Sequence, residues 1–299
     1  MSGLEEIYGT LGFYDGYIKR STNVSIFSST LTTIRGGFQL SESSVFRNIS
    51  FPRLSTVGGV FSLYLMDNLE YVDVTDLHSV GHIRIHAPQL STFKHNELRN
   101  INGDYFNDDI LISACKLESL DSIFNNNIKI RNAVVANVPS LKSVTIGFSA
   151  ARKLSFDNTK VDGEPFEVIF GGKNTESMQL GDVSISGGAA SVKRDPGLQK
   201  LTARTFTVES NRLKHLDVPF NELGGLYVSH ENNIKWVSVP EQAKQWEDFI
   251  LVLSHNPNLN LSSEYMVSDS GETVRSWYWP QKDMEGVTIR ETSVSNAFL

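Results

Sequence analysis

The chain has 299 residues, of which 40% are hydrophobic and 20% are charged, and its formal net charge is -7. This composition is typical of a folded protein with a sizeable core and excludes the disordered and collagen-like classes. The negative charge argues against a nucleic-acid partner, because phosphates require a basic surface. No stretch approaches the roughly 20 apolar residues of a membrane span, so we expect neither nucleic acid nor membrane as a partner.

Neither end of the sequence carries a recognisable targeting or anchoring signal. The start, MSGLEEIYG, is acidic and lacks the apolar core of a signal peptide. The end, SVSNAFL, lacks the hydrophobic tail that directs lipid anchoring. As written, the chain is therefore expected in the cytosol.

The single cysteine, Cys115, cannot form an internal disulfide. It lies in the apolar and periodic run ILISACKLESL. We predict that it is a small buried hydrophobic residue and not a reactive thiol.

A short unit recurs along the chain: Asn or Pro, one residue, Leu or Ile, two residues and another apolar residue. Clear copies are NLEYV, PQLSTF, CKLESL, PSLKSV, PGLQKL, NRLKHL, NNIKWV and NPNLNL. Leu69 and Leu90 of neighbouring copies are 21 residues apart, which is typical of one turn of a solenoid built from short strands. Leu198 and Leu213 are only 15 apart, which indicates either a compressed turn or two partial matches within one turn.

Strand-like runs with alternating apolar residues lie between the copies, among them GGVFSLYL, GHIRIH, RTFTVES, GGLYVSH and DFILVLSH. Paired glycines at 36–37, 58–59 and 224–225 predict corners that need positive φ or a close backbone approach. Only residues 240–250, PEQAKQWEDFI, favour a helix, because proline opens the segment and good helix formers follow.

These patterns predict a single mainly β solenoid domain over residues 1–299, with few or short helices. Residues 1–30 are assigned to an N-terminal cap, 31–265 to the repeats and 266–299 to a C-terminal cap. Residues 161–191 break the repeat, and we interpret them as a turn with an irregular insertion.

Several segments resemble the receptor L-domain-like repeats of fungal cell-wall organisation proteins: FPRLSTVGGVFSL, NVPSLKSV and NRLKHLDVPFNELGGLYVSHENNIKWVSVP. That family comprises glycosylphosphatidylinositol-anchored surface proteins related to the yeast sporulation-specific wall family. The tail from Trp277, WYWPQKDMEGVTIRETSVSNAFL, is similar to the closing segment of filamentous-fungal members. The resemblance covers about residues 31–299. It implies a right-handed, leucine-rich-repeat-like solenoid that binds glycan or protein partners at the cell surface or wall.

The chain departs from that family in having no leader, no cysteine pairs and no anchor signal. Its Asn-x-Ser sequons at Asn23, Asn48 and Asn260 would accept glycans only on an exported chain. Either a leader is missing from this sequence, or the chain is an intracellular derivative of the wall-protein scaffold. The low cysteine count favours the derivative, because a missing leader would not remove internal disulfides.

No sequence motif of a metalloprotease, phosphate loop, nucleophile elbow or Cys-x-x-Cys site occurs, so we predict no metal and no cofactor. His82 and His86 are four residues apart, which on a strand separates them by about 13 Å. That distance is too long for both to bind one ion.

The candidate site is a row of outward side chains on the predicted strands. If Ile83 and Ile85 point into the core, alternation directs His82, Arg84 and His86 outward. The same alternation on the other turns directs outward Ser62, Tyr64, Met66, Glu209 and Tyr227. Such a row is either the solvated side of a sheet or a binding surface, in which a histidine beside a carboxylate or phenol could act as general acid or base.

Trp277 and Trp279 flank Tyr278, so alternation places both indoles on one side of a strand. They form either an aromatic platform for a ligand or, as we prefer, a cover for the open end of the solenoid.

Two hypotheses for function follow. The first is a non-enzymatic repeat protein that binds glycan or protein partners in cell-wall organisation. The alternative is an intracellular derivative with a closed pocket for a small apolar metabolite, near residues 161–191, that promotes a cyclisation or isomerisation in a fungal biosynthetic pathway.

Overall fold

The computed structural model describes residues 3–14, 24–96, 98–101, 108–158, 165–238, 240 and 250–259, and the backbone of four short strands between residues 266 and 291. Among the described residues, strands make up 55% and helix is almost absent, and the strands form a parallel β-solenoid of about nine turns. The predicted fold class is therefore confirmed.

One long sheet runs the length of the solenoid, and its hydrogen-bonded strand pairs are all parallel. Its 15 strands, numbered in chain order, are β1 (Glu6–Ile7), β2 (Leu11–Tyr14), β4 (Thr33–Ile34), β5 (Phe38–Ser41), β7 (Thr56–Tyr64), β9 (Ser79–His86), β11 (Asn100–Ile101), β12 (Ile110–Ser113), β13 (Lys129–Ala136), β15 (Ala150–Asp157), β17 (Ser177–Ser186), β19 (Lys200–Glu209), β21 (Glu222–Ser229), β23 (Ile250–Ser254) and β27 (Thr288–Glu291).

Shorter strands close the turns on the other side of the core in three parallel sheets. They are β3 (Val24–Phe27), β6 (Phe46–Ser50), β8 (Tyr71–Val74) and β10 (Thr92–His95); β14 (Ser143–Ile146), β16 (Phe166–Phe170) and β18 (Ala189–Arg194); and β20 (His215–Asp217), β22 (Trp236–Ser238) and β26 (Trp277–Tyr278). An antiparallel pair joins β24 (Met266–Val267) to β25 (Thr273–Val274), and the described part of the chain contains one helix, α1 (Asp121–Phe124).

The core consists of the inward side chains of both kinds of sheet. Leu63, Ile85 and Ile112 occupy matching positions of neighbouring strands, and each is fully buried. Aromatic rings continue this stacking: the rings of Phe38 and Phe61 are parallel, with centroids 4.9 Å apart. Burying each such side chain contributes about 1.5–3 kcal/mol. Because one turn cannot cover its own apolar face, the turns stabilise one another.

A left-handed residue follows seven of the 15 strands of the long sheet and turns the chain inward. These residues have φ between 46° and 56° and are Glu42, Leu65, Ala114, Asn137, Ser210, His230 and His255. Each is followed by a buried residue, such as Met66 or Cys115. The prediction that Met66 points outward is therefore wrong, because strand alternation stops at Tyr64.

Leu198 and Leu213 are both buried, but they lie at different corners of the solenoid. Leu213 precedes a short strand, β20, whereas Leu198 precedes a long-sheet strand, β19. The 15-residue interval thus reflects two partial matches within one turn. True repeats are longer: Val208 and its register partner Val228 are 20 residues apart.

The paired glycines permit close approach of neighbouring turns. A Cβ atom on Gly58 would lie 2.1 Å from the Arg35 carbonyl oxygen. None of these six glycines has a positive φ, so only the close-approach part of the prediction is confirmed.

Residues 161–191 are regular where the structure describes them. From residue 166 onward they form β16, β17 and the start of β18, which pair in parallel with their neighbours apart from one bulge at Phe166. The irregular insertion stays a prediction, because residues 159–164 lie outside the described residues and the turn from Phe156 to Ile185 is 29 residues long. The predicted helix at 240–250 lies almost wholly outside the described residues.

Candidate functional site

Tyr64, Arg84 and His86 form an aromatic and cationic cluster, the Tyr64 cluster, on the outer face of the long sheet. Strand register pairs Tyr64 with His86 and Ser62 with Arg84, so these side chains share one face. The Arg84 guanidinium carbon lies 4.8 Å from the Tyr64 ring centroid, and the His86 and Tyr64 centroids are 5.7 Å apart. Three of the predicted residues are thus brought together.

The next turn orients the His86 ring. Its Nδ1 lies 3.0 Å from the Ser113 hydroxyl oxygen, and that hydroxyl is also within 3.4 Å of the Ile85 carbonyl oxygen. Ser113 lies on β12, whose register places it beside His86. The imidazole is therefore held by two neighbouring turns, while Arg84 remains exposed.

A depression of about 320 Å³ lies beside the Tyr64 cluster on the same face. Arg84 belongs to both, and the other lining residues include Gln39, Ser62, His82 and Asp108. The depression therefore combines amide, hydroxyl, guanidinium and imidazole groups with apolar surface from Val60 and Leu111. Its volume is at the lower end of the range for small-molecule sites.

The prediction of His82 as an exposed residue is wrong, because only 4% of its surface is accessible. The chain at Asp108 and Asp109 packs over its ring: Nδ1 lies 3.2 Å from the Asp108 carbonyl oxygen and 3.8 Å from an Asp109 carboxylate oxygen. His82 reaches the depression from this buried position.

Asp109 links His82 to the next turn. Its carboxylate is 2% exposed and accepts hydrogen bonds from the backbone N–H and the guanidinium of Arg131, at 2.5 and 2.8 Å. A buried carboxylate is stable only with such partners. We therefore assign Asp109 a structural role, that of holding β12 and β13 around His82.

Glu209 and Tyr227 do not join the Tyr64 cluster. Register places Glu209 in the row of His86 but five strands away, and Tyr227 in the row of Arg84 but six strands away. At about 4.8 Å per strand these separations are roughly 24 and 29 Å. A site containing all the predicted residues would need an extended ligand.

The outer face between these points differs in character. In the row of Arg84, Leu111 and Val134 come next, and the small residues Ser155, Ser184 and Thr207 follow them. The nearby charges are paired: the Arg204 guanidinium hydrogen-bonds the Asp182 carboxylate and lowers the pKa of that carboxyl. The Tyr64 ring, the Arg84 guanidinium and the His86 imidazole, in contrast, come together on β7 and β9.

Of the remaining candidates, the backbone of Trp277 pairs with Val237, whereas Trp279 lies outside the described residues. Asn48 is half-buried on β6, and its amide donates to the Ser25 hydroxyl at 3.4 Å. The other two sequons, at Asn23 and Asn260, begin outside the described residues.

A second, polar depression of about 570 Å³ lies where strands of the long sheet begin. It is lined by Ser55, Asp76, His78, Asn96 and Arg99. His78 Nδ1 lies 3.0 Å from the Asp76 carbonyl oxygen, which fixes the orientation of the ring. This depression contains no aromatic ring comparable to that of Tyr64.

Sequence reasoning missed Gln39, Asp108 and Ser113. The information that identifies Gln39 and Ser113 as neighbours of the site is the register between turns, which places Gln39 beside Ser62 and Ser113 beside His86. Sequence alone fixes that register only approximately, because the turns differ in length.

Within the described residues, no group of three or more His, Cys, Asp or Glu side chains is arranged to hold a metal ion. No helix in the same part of the chain is long and apolar enough to cross a membrane.

The fold and this surface together define a parallel β-solenoid with a mixed aromatic and polar patch on its outer face. Comparisons with protein-family models, with curated proteins and with solved structures find no match. The assignment of function therefore depends on the geometry of the chain itself.

Proposed function

We propose that this protein binds carbohydrate without catalysis, through the Tyr64 cluster and the adjoining depression. The observation that carries the proposal is the Tyr64 ring, which lies beside Arg84 and His86, with Arg84 also lining a depression of mixed polar and apolar character. A sugar offers an apolar face to an aromatic ring and hydroxyls to planar polar groups. Tyrosine supplies both an apolar ring and a hydroxyl.

The arrangement suits a chain of sugars better than a compact metabolite. The depression is open, and the outer face continues beyond it through small hydroxyl residues such as Ser155 and Ser184. Solenoids commonly bind extended ligands along such repeated surfaces. Glu209 and Tyr227 lie on the same face and would contact a long chain but not a short one.

The alternative is the proposed enzyme acting on a small apolar metabolite. Its best acid–base pair is His82 with Asp109, but the Asp109 carboxylate is already engaged by Arg131. A general base must reach the proton it removes, and this carboxylate is buried. The pocket was expected near residues 161–191, whereas the depression beside His82 is lined by residues between 39 and 111. Binding is therefore the better-supported role.

The resemblance to fungal cell-wall organisation proteins supports a wall polysaccharide as the ligand and the cell surface as the location. A protein partner on the same surface is the other possibility within that family. Export would also make Asn48 a candidate for glycosylation.

The proposal is tested by affinity electrophoresis through gels that contain β-glucan, mannan or soluble chitin oligomers. The variants are Tyr64→Ala and a matched control, Tyr8→Ala. Tyr8 is a 73% exposed tyrosine with its own arginine, Arg35, 4.4 Å from its ring, and it is outside the depression. We expect one polysaccharide to retard the wild type and the Tyr8 variant but not the Tyr64 variant. Equal migration of all three in every gel would overturn the proposal.

A further inference from the structure

Three consecutive turns near the C-terminal end place a polar side chain at the same buried corner. Asn211, Glu231 and Asn256 each follow a left-handed residue and are at most 5% exposed. The Asn211 N–H donates to Glu231 Oε1 at 2.8 Å, and the Glu231 N–H donates to Asn256 Oδ1 at 2.9 Å. We call this chain of hydrogen bonds between turns the corner ladder.

The two asparagines use their amide nitrogens in the same way. Asn211 Nδ2 donates to the Ile185 carbonyl at 2.8 Å, and Asn256 Nδ2 donates to the Val228 carbonyl at 3.0 Å. In each case the acceptor is the penultimate residue of the long-sheet strand one turn earlier: Ile185 in β17 for Asn211, and Val228 in β21 for Asn256. For Glu231, the residue at the equivalent position is Val208 in β19, which register aligns with both Ile185 and Val228.

Glu231 thus occupies the position at which the neighbouring turns have the amide donor of an asparagine. An ionised carboxylate has only acceptors, whereas a protonated one carries one O–H donor. Glu231 is 0% exposed, and Oε2 has no hydrogen-bond partner among the described residues. Burying a charged oxygen in that state is far more costly than burying a neutral acid.

The groups around Glu231 do not neutralise a charge there. Within the described residues, its side chain accepts hydrogen bonds from Asn211, through both the backbone N–H and Nδ2. Glu209, at the end of β19, adds a negative charge and itself faces His230 at 3.5 Å. The rings of His230 and His255 stack on each other at 4.6 Å. Three cationic residues of the same turns have exposed side chains: Arg212, Lys214 and Lys235.

We propose that Glu231 is a proton-controlled latch: its protonated side chain completes the corner ladder, and loss of that proton loosens the corners after β19 and β21. The latch is independent of carbohydrate binding and makes the C-terminal turns sensitive to pH.

The direction of the pH dependence follows from burial. Desolvation, the largest cause, raises the pKa of Glu231 from 4.5 to about 7. Between these values the folded chain retains a proton that the unfolded chain has released. The contribution of Glu231 to the free energy of unfolding is therefore most favourable below about pH 4.5, and it falls as the pH rises toward about 7.

The first experiment measures the urea midpoint of the full chain at several values between about pH 5 and pH 8. Glu231→Gln keeps the size of the side chain and supplies a permanent donor. The control Glu222→Gln removes an exposed carboxylate, paired with Lys200, from the start of β21 in the same turn. We expect the midpoints of the wild type and the control to fall over this range, and the Glu231→Gln slope to be reduced. Equal slopes in all three proteins would overturn the proposal.

Hydrogen exchange on the wild-type chain gives a second measurement that does not depend on a folded variant. The amide of Asn211 donates directly to Glu231 Oε1. After correction for the intrinsic rate, its protection should be lower at about pH 8 than at about pH 5. Protection that does not change across this range would contradict the latch.

Discussion

The guanidinium of Arg84 lies over the ring of Tyr64, with its central carbon 4.8 Å from the ring centroid. The two residues are diagonal neighbours on adjacent strands, since Arg84 pairs with Ser62 and Tyr64 with His86. The contact fixes the orientation of an exposed cation beside an aromatic ring. It makes this part of the long sheet a preorganised surface.

Arg84→Lys should weaken carbohydrate binding while leaving the fold intact. Lysine keeps the charge but loses the planar group that stacks on tyrosine, and an exposed cation–π contact contributes about 0.5–1 kcal/mol. We therefore expect roughly a two- to fivefold increase in Kd by titration calorimetry. Arg35→Lys, which alters the similar pair with Tyr8, is the matched control. If both variants bound equally well, Arg84 would have no part in the site.

Asp109→Ala should destabilise the protein by about 3–5 kcal/mol, because it leaves the partners of a buried carboxylate unpaired. The contrast is Asp182→Ala, which breaks an exposed pair with Arg204 and should cost at most about 1 kcal/mol. Urea unfolding at neutral pH measures both values. A small effect of Asp109→Ala would show that the contacts with Arg131 and His82 do not hold these turns together.

Gly181→Ala should destabilise the protein even though alanine is the better strand residue. A Cβ atom at this position of β17 would lie 2.1 Å from the Arg152 carbonyl oxygen, which is backbone and cannot rotate away. Overpacking of this kind costs about 1–3 kcal/mol. At Gly12 the nearest heavy atom would be 3.8 Å away, so Gly12→Ala serves as the control. A thermal scan in which the two variants melt together would contradict this account of stacking.

The thiol of Cys115 should resist alkylation in the folded protein. Its side chain is buried at the corner after β12, and desolvation raises its pKa to about 11. Only the thiolate reacts with iodoacetamide, so at about pH 8 we expect labelling in urea and very slow labelling without it. Rapid labelling of the folded chain would mean that this corner opens readily.

Periodicity predicted the part of the site that depends on a single strand. Alternation in GHIRIH correctly directed Ile83 and Ile85 inward and Arg84 outward. It failed where another part of the chain decides burial, because Asp108 and Asp109 cover His82 from the next turn. It also failed at Leu65, where φ is 54° and the chain turns at the end of β7.

The repeat predicted a solenoid but not the register between its turns. Repeat lengths vary, from 20 residues between Val208 and Val228 to 38 between Leu253 and Glu291. Spacing along the chain therefore could not show that Tyr64 and His86 meet while Glu209 lies roughly 24 Å away. Hydrogen bonding between neighbouring strands supplies that information.

The most direct test of the central claim is a crystal structure of the protein with the oligosaccharide that binds it most tightly. We expect a sugar ring packed against the face of Tyr64, with hydroxyls hydrogen-bonded to Arg84 and to polar residues of the depression such as Gln39 or Ser62. A sugar bound only in the depression around His78 and Arg99, or the absence of any bound sugar at saturating concentration, would contradict it.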